Sequence, residues 1–174
     1  MNGIINVYKE RGFTSHDVVA KLRGILHMKK IGHTGTLDPD ATGVLPVCIG
    51  KATKVCGLLT DKNKTYRAVV KLGVMTNTED MTGEILAKHP VSVTKEQIET
   101  AVSKFVGEIE QIPPMYSAIK INGKKLYELA RQGKEVERKA RKVTIYEIKV
   151  LSIDFSENEF TMEVSCSKGT YIRT

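Results

Sequence analysis

From Gly32 to Pro46 the chain reads Gly-His-Thr-Gly-Thr-Leu-Asp-Pro-Asp-Ala-Thr-Gly-Val-Leu-Pro. Glycine loses the most backbone entropy on entering a regular element, and proline removes a backbone donor. Thr and Asp side chains compete for local backbone hydrogen bonds. So dense a run of breakers suits neither helix nor strand, and residues 32–46 are expected to form a loop. Regular structure must therefore be built on either side of it.

Before the loop, Thr14-Ser15-His16-Asp17 reads as a helix start with a capping box, and Val18, Leu22 and Ile25 share one face. After it, Tyr66, Ala68, Val70 and Leu72 alternate with Arg67, Val69 and Lys71, the pattern of a strand. Thr94 to Phe105 is the clearest helix. Thr94 caps it with Gln97 three residues on, Ile98, Ala101, Val102 and Phe105 form its apolar stripe, and Gly107 ends it. Lys125 to Gln132 reads as a short helix stopped by Gly133. Two β-rich runs follow, at Val143–Tyr146 and Ile148–Phe155, and then an alternating strand at Phe160–Cys166. Strands and helices mix without regular β-α-β spacing, which favours an α+β fold.

The 174 residues suffice for one well-buried domain, and 41% apolar with 27% charged residues is ordinary for a soluble globular protein. No apolar run approaches the roughly 20 residues of a membrane helix, and the start carries no signal-peptide pattern, so the expectation is a cytoplasmic protein with no membrane contact. Cys48, Cys56 and Cys166 are an odd number with no C-x-x-C pair, which argues against a disulfide framework and a zinc site. Small buried thiols are expected instead. The net charge is +7, and Lys120–Lys142 holds nine Lys/Arg against three Glu, nearly the whole excess. A solvated helix face usually mixes the signs, so this run points to a polyanion.

Chemistry is concentrated in the loop. A phosphate-binding P-loop needs Gly-Lys-Ser/Thr, and Gly43 is followed by Val44-Leu45-Pro46. A calcium loop starting at Asp38 would need a carboxylate at its twelfth position, where Ile49 stands. Asp38-x-Asp40-x-Thr42 has the spacing of haloacid-dehalogenase-type phosphotransferases, whose first Asp attacks phosphorus. That motif follows an apolar strand, and Asp38 does not.

The ordered run Gly32–Pro46 resembles the signature loop of TruB-type tRNA pseudouridine-55 synthases. The resemblance continues through Gly50-Lys51-Ala52-Thr53-Lys54, Lys64-Thr65-Tyr66-Arg67, Leu72-Gly73 with Thr76-x-Thr78-x-Asp80, and Pro114-Met115-Tyr116-Ser117-Ala118-Ile119-Lys120. Gly123-Lys124-Lys125-Leu126-Tyr127 and Cys166-Ser167-Lys168-Gly169-Thr170-Tyr171-Ile172-Arg173 extend it over essentially the whole chain. One departure is near the start: the family usually has Lys-Pro where this chain has Lys9-Glu10. A local turn is expected to feel that change more than the chemistry.

The resemblance implies an α+β pseudouridine-synthase-like catalytic domain over residues 1–174, with a central mixed, largely antiparallel sheet flanked by helices and a basic RNA-gripping insertion at about 116–144. It also implies that the domain is incomplete at its C-terminus, the rest of the catalytic domain and a small RNA-binding domain lying beyond residue 174. Uridine in the tRNA T-loop would be flipped out and isomerised by cleavage of the N1–C1′ bond, base rotation and rejoining through C5, with no cofactor and no metal. By the same resemblance Asp38 is the catalytic carboxylate, its attack on base or sugar left open. Arg173 keeps it ionised, and Tyr66 stacks beneath the base. His33 takes the space left by the flipped nucleotide, Tyr171 touches substrate, and Lys124, Lys125 and Arg131 grip phosphates. The partner is the tRNA T stem-loop, bound by a monomer with no obligate protein partner. A tRNA-binding or chaperone module without catalysis is the alternative.

Overall fold

A computed structural model of the chain describes residues 1–174. The chain divides into two compact units, Met1–Lys62 and Asn63–Thr174, each with its own sheet.

The first unit is built from β1 (Gly3–Lys9), α1 (Ser15–Leu26), β2 (Ile31–His33), β3 (Gly43–Ile49), a 3-10 turn (Gly50–Val55) and α2 (Cys56–Thr60). Its three-stranded antiparallel sheet has the order β1-β3-β2. Thr14 caps α1 as its sequence suggests: its hydroxyl accepts from the Asp17 amide at 3.1 Å, and the Asp17 carboxylate accepts from the Thr14 amide at 2.8 Å. The buried stripe differs from the expected one. Val18 and Val19 are buried, with Leu22 and Leu26 packed against Leu45, Val47 and Ile31, while Ile25 is 64% exposed. The face in contact with the sheet is the one that also carries buried Ser15, which places Ile25 on its flank.

The expected loop over 32–46 is shorter than its composition suggests. Gly32 and His33 belong to β2, and residues 43–46 open β3, so the irregular segment is 34–42. Pro46 is tolerated in the central strand because β2 opposes only residues 47–49. In an antiparallel ladder a residue's N–H and C=O point the same way. The Pro46 carbonyl accepts from Thr34 on the β2 side, so the donor proline lacks would have faced that side, beyond the last β2 pair.

The second unit contains β4 (Lys64–Lys71), a hairpin of β5 (Val74–Thr76) and β6 (Ile85–Lys88), and α3 (Lys95–Ser103). These are followed by β7 (Gly107–Gln111), a short hairpin of β8 (Lys120–Ile121) and β9 (Lys124–Lys125), α4 (Leu126–Ala130), β10 (Arg141–Asp154) and β11 (Glu159–Cys166). Its main sheet is fully antiparallel, in the order β4-β11-β10-β7. The two β-rich runs expected at 143–155 are one strand, β10. Register shifts fall between Ile145 and Glu147 and between Val150 and Ser152. The first of these bulges breaks the alternation at Tyr146, so one strand reads as two. Thr94 and Gln97 cap α3 reciprocally, as expected. Of its expected stripe only Ile98 is buried; Ala101 and Phe105 are exposed, and the helix ends at Ser103 before Gly107 starts the next strand. The core of this sheet is Ile145, Val164 and Cys166, with Tyr66, Ile109, Ile148, Met162 and Ile172 against it. No helix is long and apolar enough to cross a membrane.

Candidate active-site elements

Segment 34–42 is held by hydrogen bonds to Pro46, Ser15, Gly12 and Lys9. Thr34, 2% exposed, donates its amide to Pro46 at 3.1 Å, and Leu37 donates its amide to the Ser15 hydroxyl at 2.9 Å. Ala41 closes a turn by donating to the Asp38 carbonyl at 3.1 Å. The Pro39 carbonyl accepts twice, from the Gly12 amide at 2.9 Å and from Lys9 Nζ at 3.2 Å. Gly12 reaches that position with φ +86°, in the left-handed region that glycine enters without strain.

Lys9 is the residue whose importance the sequence did not show. It ends β1 fully buried, and its ammonium also donates to the Phe13 carbonyl at 2.6 Å and the Glu10 carbonyl at 3.1 Å. Burial lowers its pKa from the ordinary lysine value, while the carboxylates of Asp40 and then Asp38 act to raise it. One cation thus ties the turn after β1 to the peptide that follows Asp38. Asp38 itself is exposed at this rim, within reach of the lysine's charge. His33 is half-buried on β2, opposite Val47.

In the second unit Tyr66 is half-buried on β4, opposite Val164, with its ring against the core of the sheet. Segment 170–174 is fastened by side chains from elsewhere in the unit. The Gln111 amide accepts from the Tyr171 amide at 2.9 Å and donates to the Tyr171 carbonyl at 2.8 Å, standing in for a neighbouring strand. Arg173, with its side chain 13% exposed, is ion-paired with Asp80 at 3.1 Å. Thr174 donates to Glu79 at 2.6 Å. Asp80 is in turn gripped through its other oxygen by the Thr78 hydroxyl at 2.8 Å and by the hydroxyl and amide of Thr82 at 2.6 and 3.0 Å. Burial acts to raise the Asp80 pKa. The Thr82 and Thr78 hydrogen bonds and the Arg173 charge outweigh it and leave the carboxyl below its ordinary value. Asp80 lies in a matched motif but carried no expected role; Gln111 gives no sequence signal at all.

Within the basic run, Lys142 pairs with Glu108 at 2.9 Å and Arg138 with Glu135 at 3.1 Å. Lys124 and Arg131 are exposed. Lys125 donates to the Tyr127 hydroxyl at 3.1 Å, and its ammonium and the Arg131 guanidinium lie 5.2 and 5.3 Å from the centre of the Tyr127 ring. No group of three or more His, Cys, Asp or Glu is placed to hold a metal ion.

Residues 23–172 match the model of the TruB family pseudouridylate synthase N-terminal domain. The chain belongs to that family. It is 60% identical over its whole length to the tRNA pseudouridine synthase B of Alkaliphilus oremlandii and 56% identical to those of Clostridium perfringens and Listeria welshimeri. It spans 58–59% of the length of these relatives. Among solved structures, a Cbf5–Nop10–Gar1 complex superposes at TM-score 0.73 with 35% identity, over 98% of this chain and 41% of that one. An H/ACA RNP bound to a substrate RNA containing 2′-deoxyuridine superposes at 0.69 with 30% identity, over 98% of this chain and 39% of that one. The fold is that of a pseudouridine synthase: α+β, with antiparallel sheets. The phosphotransferase reading has no support in this geometry. Its nucleophile would end an apolar strand, whereas Asp38 lies five residues beyond the three-residue β2.

Replacing Lys9 by Met keeps the length of the side chain but takes the ammonium donor from the Glu10 and Phe13 carbonyls, while Pro39 keeps the Gly12 amide. We expect unfolding stability to fall by about 1–3 kcal/mol for each acceptor left unpaired, measured by urea denaturation. Asp80→Asn tests the second anchor. A carboxyl with a depressed folded-state pKa contributes stability above its unfolded pKa and loses it as pH falls through the folded value. The stability difference between wild type and Asp80→Asn should therefore be full near neutral pH and shrink on acidification. A difference that does not change with pH would show that the paired carboxylate is not its source.

Proposed function

We propose that this chain is the core of an enzyme that converts uridine to pseudouridine at position 55 in the T-loop of tRNA, acting in the cytoplasm as a monomer with no cofactor. The observation that carries the reading is the Asp38 loop: an exposed carboxylate on a segment fixed by a buried ammonium, in a member of the TruB family. Isomerisation needs a carboxylate placed at the glycosidic bond within a small tolerance, and a loop tied at Thr34, Leu37, Pro39 and Ala41 meets that need. Asp38 is the catalytic carboxylate in this reading and Arg173 the cation that keeps it ionised. Tyr66 is the platform beneath the base, a stack worth about 1–3 kcal/mol. Tyr171 contacts substrate, and His33 enters the space left when the nucleotide is flipped. Asp80 and Gln111 act as positioning residues for the segment that carries Arg173 and Tyr171.

The region about 116–144 is the RNA-gripping insertion, with Lys124, Lys125 and Arg131 on the phosphates. Arg138 and Lys142, already paired with glutamates, contribute less. Most of these contacts position the RNA and do not read its sequence.

Asp38→Asn should bind unmodified tRNA transcript with nearly wild-type affinity and form no pseudouridine. Loss of binding without a specific loss of chemistry would remove Asp38 from this role. Wild-type protein that binds the transcript but never produces pseudouridine would favour the tRNA-binding module without catalysis. Replacing Lys124, Lys125 and Arg131 together by Ala should weaken binding. It should also flatten the slope of log affinity against log salt by about 0.7–0.9 for each phosphate no longer neutralised. An unchanged slope would place the phosphate grip elsewhere.

A further inference from the structure

The first unit holds two thiols that the proposed reaction does not use. Cys48 lies fully buried near the end of β3, opposite Ile4 of β1 on one side and Gly32 of β2 on the other. Cys56 is the first residue of α2 and is half-buried. Directly opposed residues of an antiparallel pair hold their Cβ positions about 4.5–5.5 Å apart. Gly32 has no Cβ, and the position one would take lies 3.4 Å from the Cys56 sulfur. Cys56 thus fills the side-chain site across the ladder from Cys48. The two thiols interact: burial, and after it the neighbouring Cys56 thiol, push the Cys48 thiol up to about 11.

We propose that Cys48 and Cys56 form a dithiol that closes to an intramolecular disulfide when a low-molecular-weight disulfide is the oxidant, a modification site independent of uridine isomerisation. The order of events follows from the packing. Cys56, the more accessible sulfur, attacks one sulfur of the oxidant as its thiolate and releases one small thiolate. Cys48 then gives its proton to solvent, and its sulfur attacks Cys56 Sγ and expels the second small thiolate. Two electrons pass from the protein to the oxidant, and two small thiols leave. Cys48 is held by ladders on both sides, whereas α2 has no buried residue and no side-chain cap. The approach to an S–S bond of about 2 Å is therefore made by α2 moving onto β3. Only a thiolate is an effective nucleophile, so the closing step should quicken about tenfold per pH unit below the Cys48 pKa.

The test is to incubate the chain with oxidised glutathione at a series of pH values, quench with acid, and read intact mass and linked peptides. Wild type should end two hydrogens lighter with no retained glutathione and a Cys48–Cys56 linked peptide. Cys48→Ala should stop with one glutathione on Cys56, and Cys56→Ser should take none at Cys48. Amide exchange across residues 56–60 should slow on oxidation, a readout that does not depend on either variant folding. The proposal is overturned if wild type ends as the Cys56–glutathione adduct at every pH. It is also overturned if Cys56 stays unmodified while the urea-unfolded chain reacts.

Discussion

A buried ammonium is the constraint from which the first unit's geometry follows. Lys9 is fully buried, and taking a cation out of water is tolerated only where other polar groups replace the hydration shell. Here the replacement is three carbonyls, of Glu10, Phe13 and Pro39. None of these can move far without leaving the charge unsolvated. The turn after β1 and the peptide after Asp38 are thereby fixed to each other, although they lie thirty residues apart in sequence. What position 10 supplies to this arrangement is a carbonyl, and every residue has one.

The second unit solves a similar problem with neutral and acidic groups. Segment 170–174 has no strand partner of its own, and a single Gln111 side chain both donates to and accepts from Tyr171. Asp80 then holds Arg173, and three bonds from two threonines hold Asp80. An arginine in such a pair keeps one geometry, because its planar fork gives up little further freedom.

How much of this was legible in the sequence depended on whether the signal was local. Caps were readable because Thr14 with Asp17 and Thr94 with Gln97 act within one helical turn. Strands β4 and β11 were readable because one face of each is more enclosed than the other, which imposes alternation. The ends of the loop that carries Asp38 were misjudged because Gly32, Gly43 and Pro46 count as breakers locally, yet each sits where its neighbour strand permits it. Ile25 and Phe105 were misplaced because helical spacing allows several stripes, and contact with the sheet selects one. Lys9, Ser15 and Gln111 were invisible as anchors because their partners, Pro39, Leu37 and Tyr171, are brought near only by folding. The candidate residues themselves came from ordered motifs, each contiguous in sequence and so readable without the fold.

Two aspartates show how differently one fold can hold the same residue type. Asp80 is half-buried, accepts from several donors and faces a guanidinium, so its charge is spent on holding a structure. Asp38 is exposed, and the bonds that fix its loop run through the backbone of Leu37, Pro39 and Ala41 and through its own carbonyl. A scaffold that restrains the peptide through its backbone gives an acidic group a defined position. Lys9 serves both ends of this arrangement: its hydrogen bond to the Pro39 carbonyl fixes the peptide, while its charge reaches Asp40 and Asp38 as a favourable field. Removing the lysine would therefore loosen the loop and weaken the field on its two acids in one step.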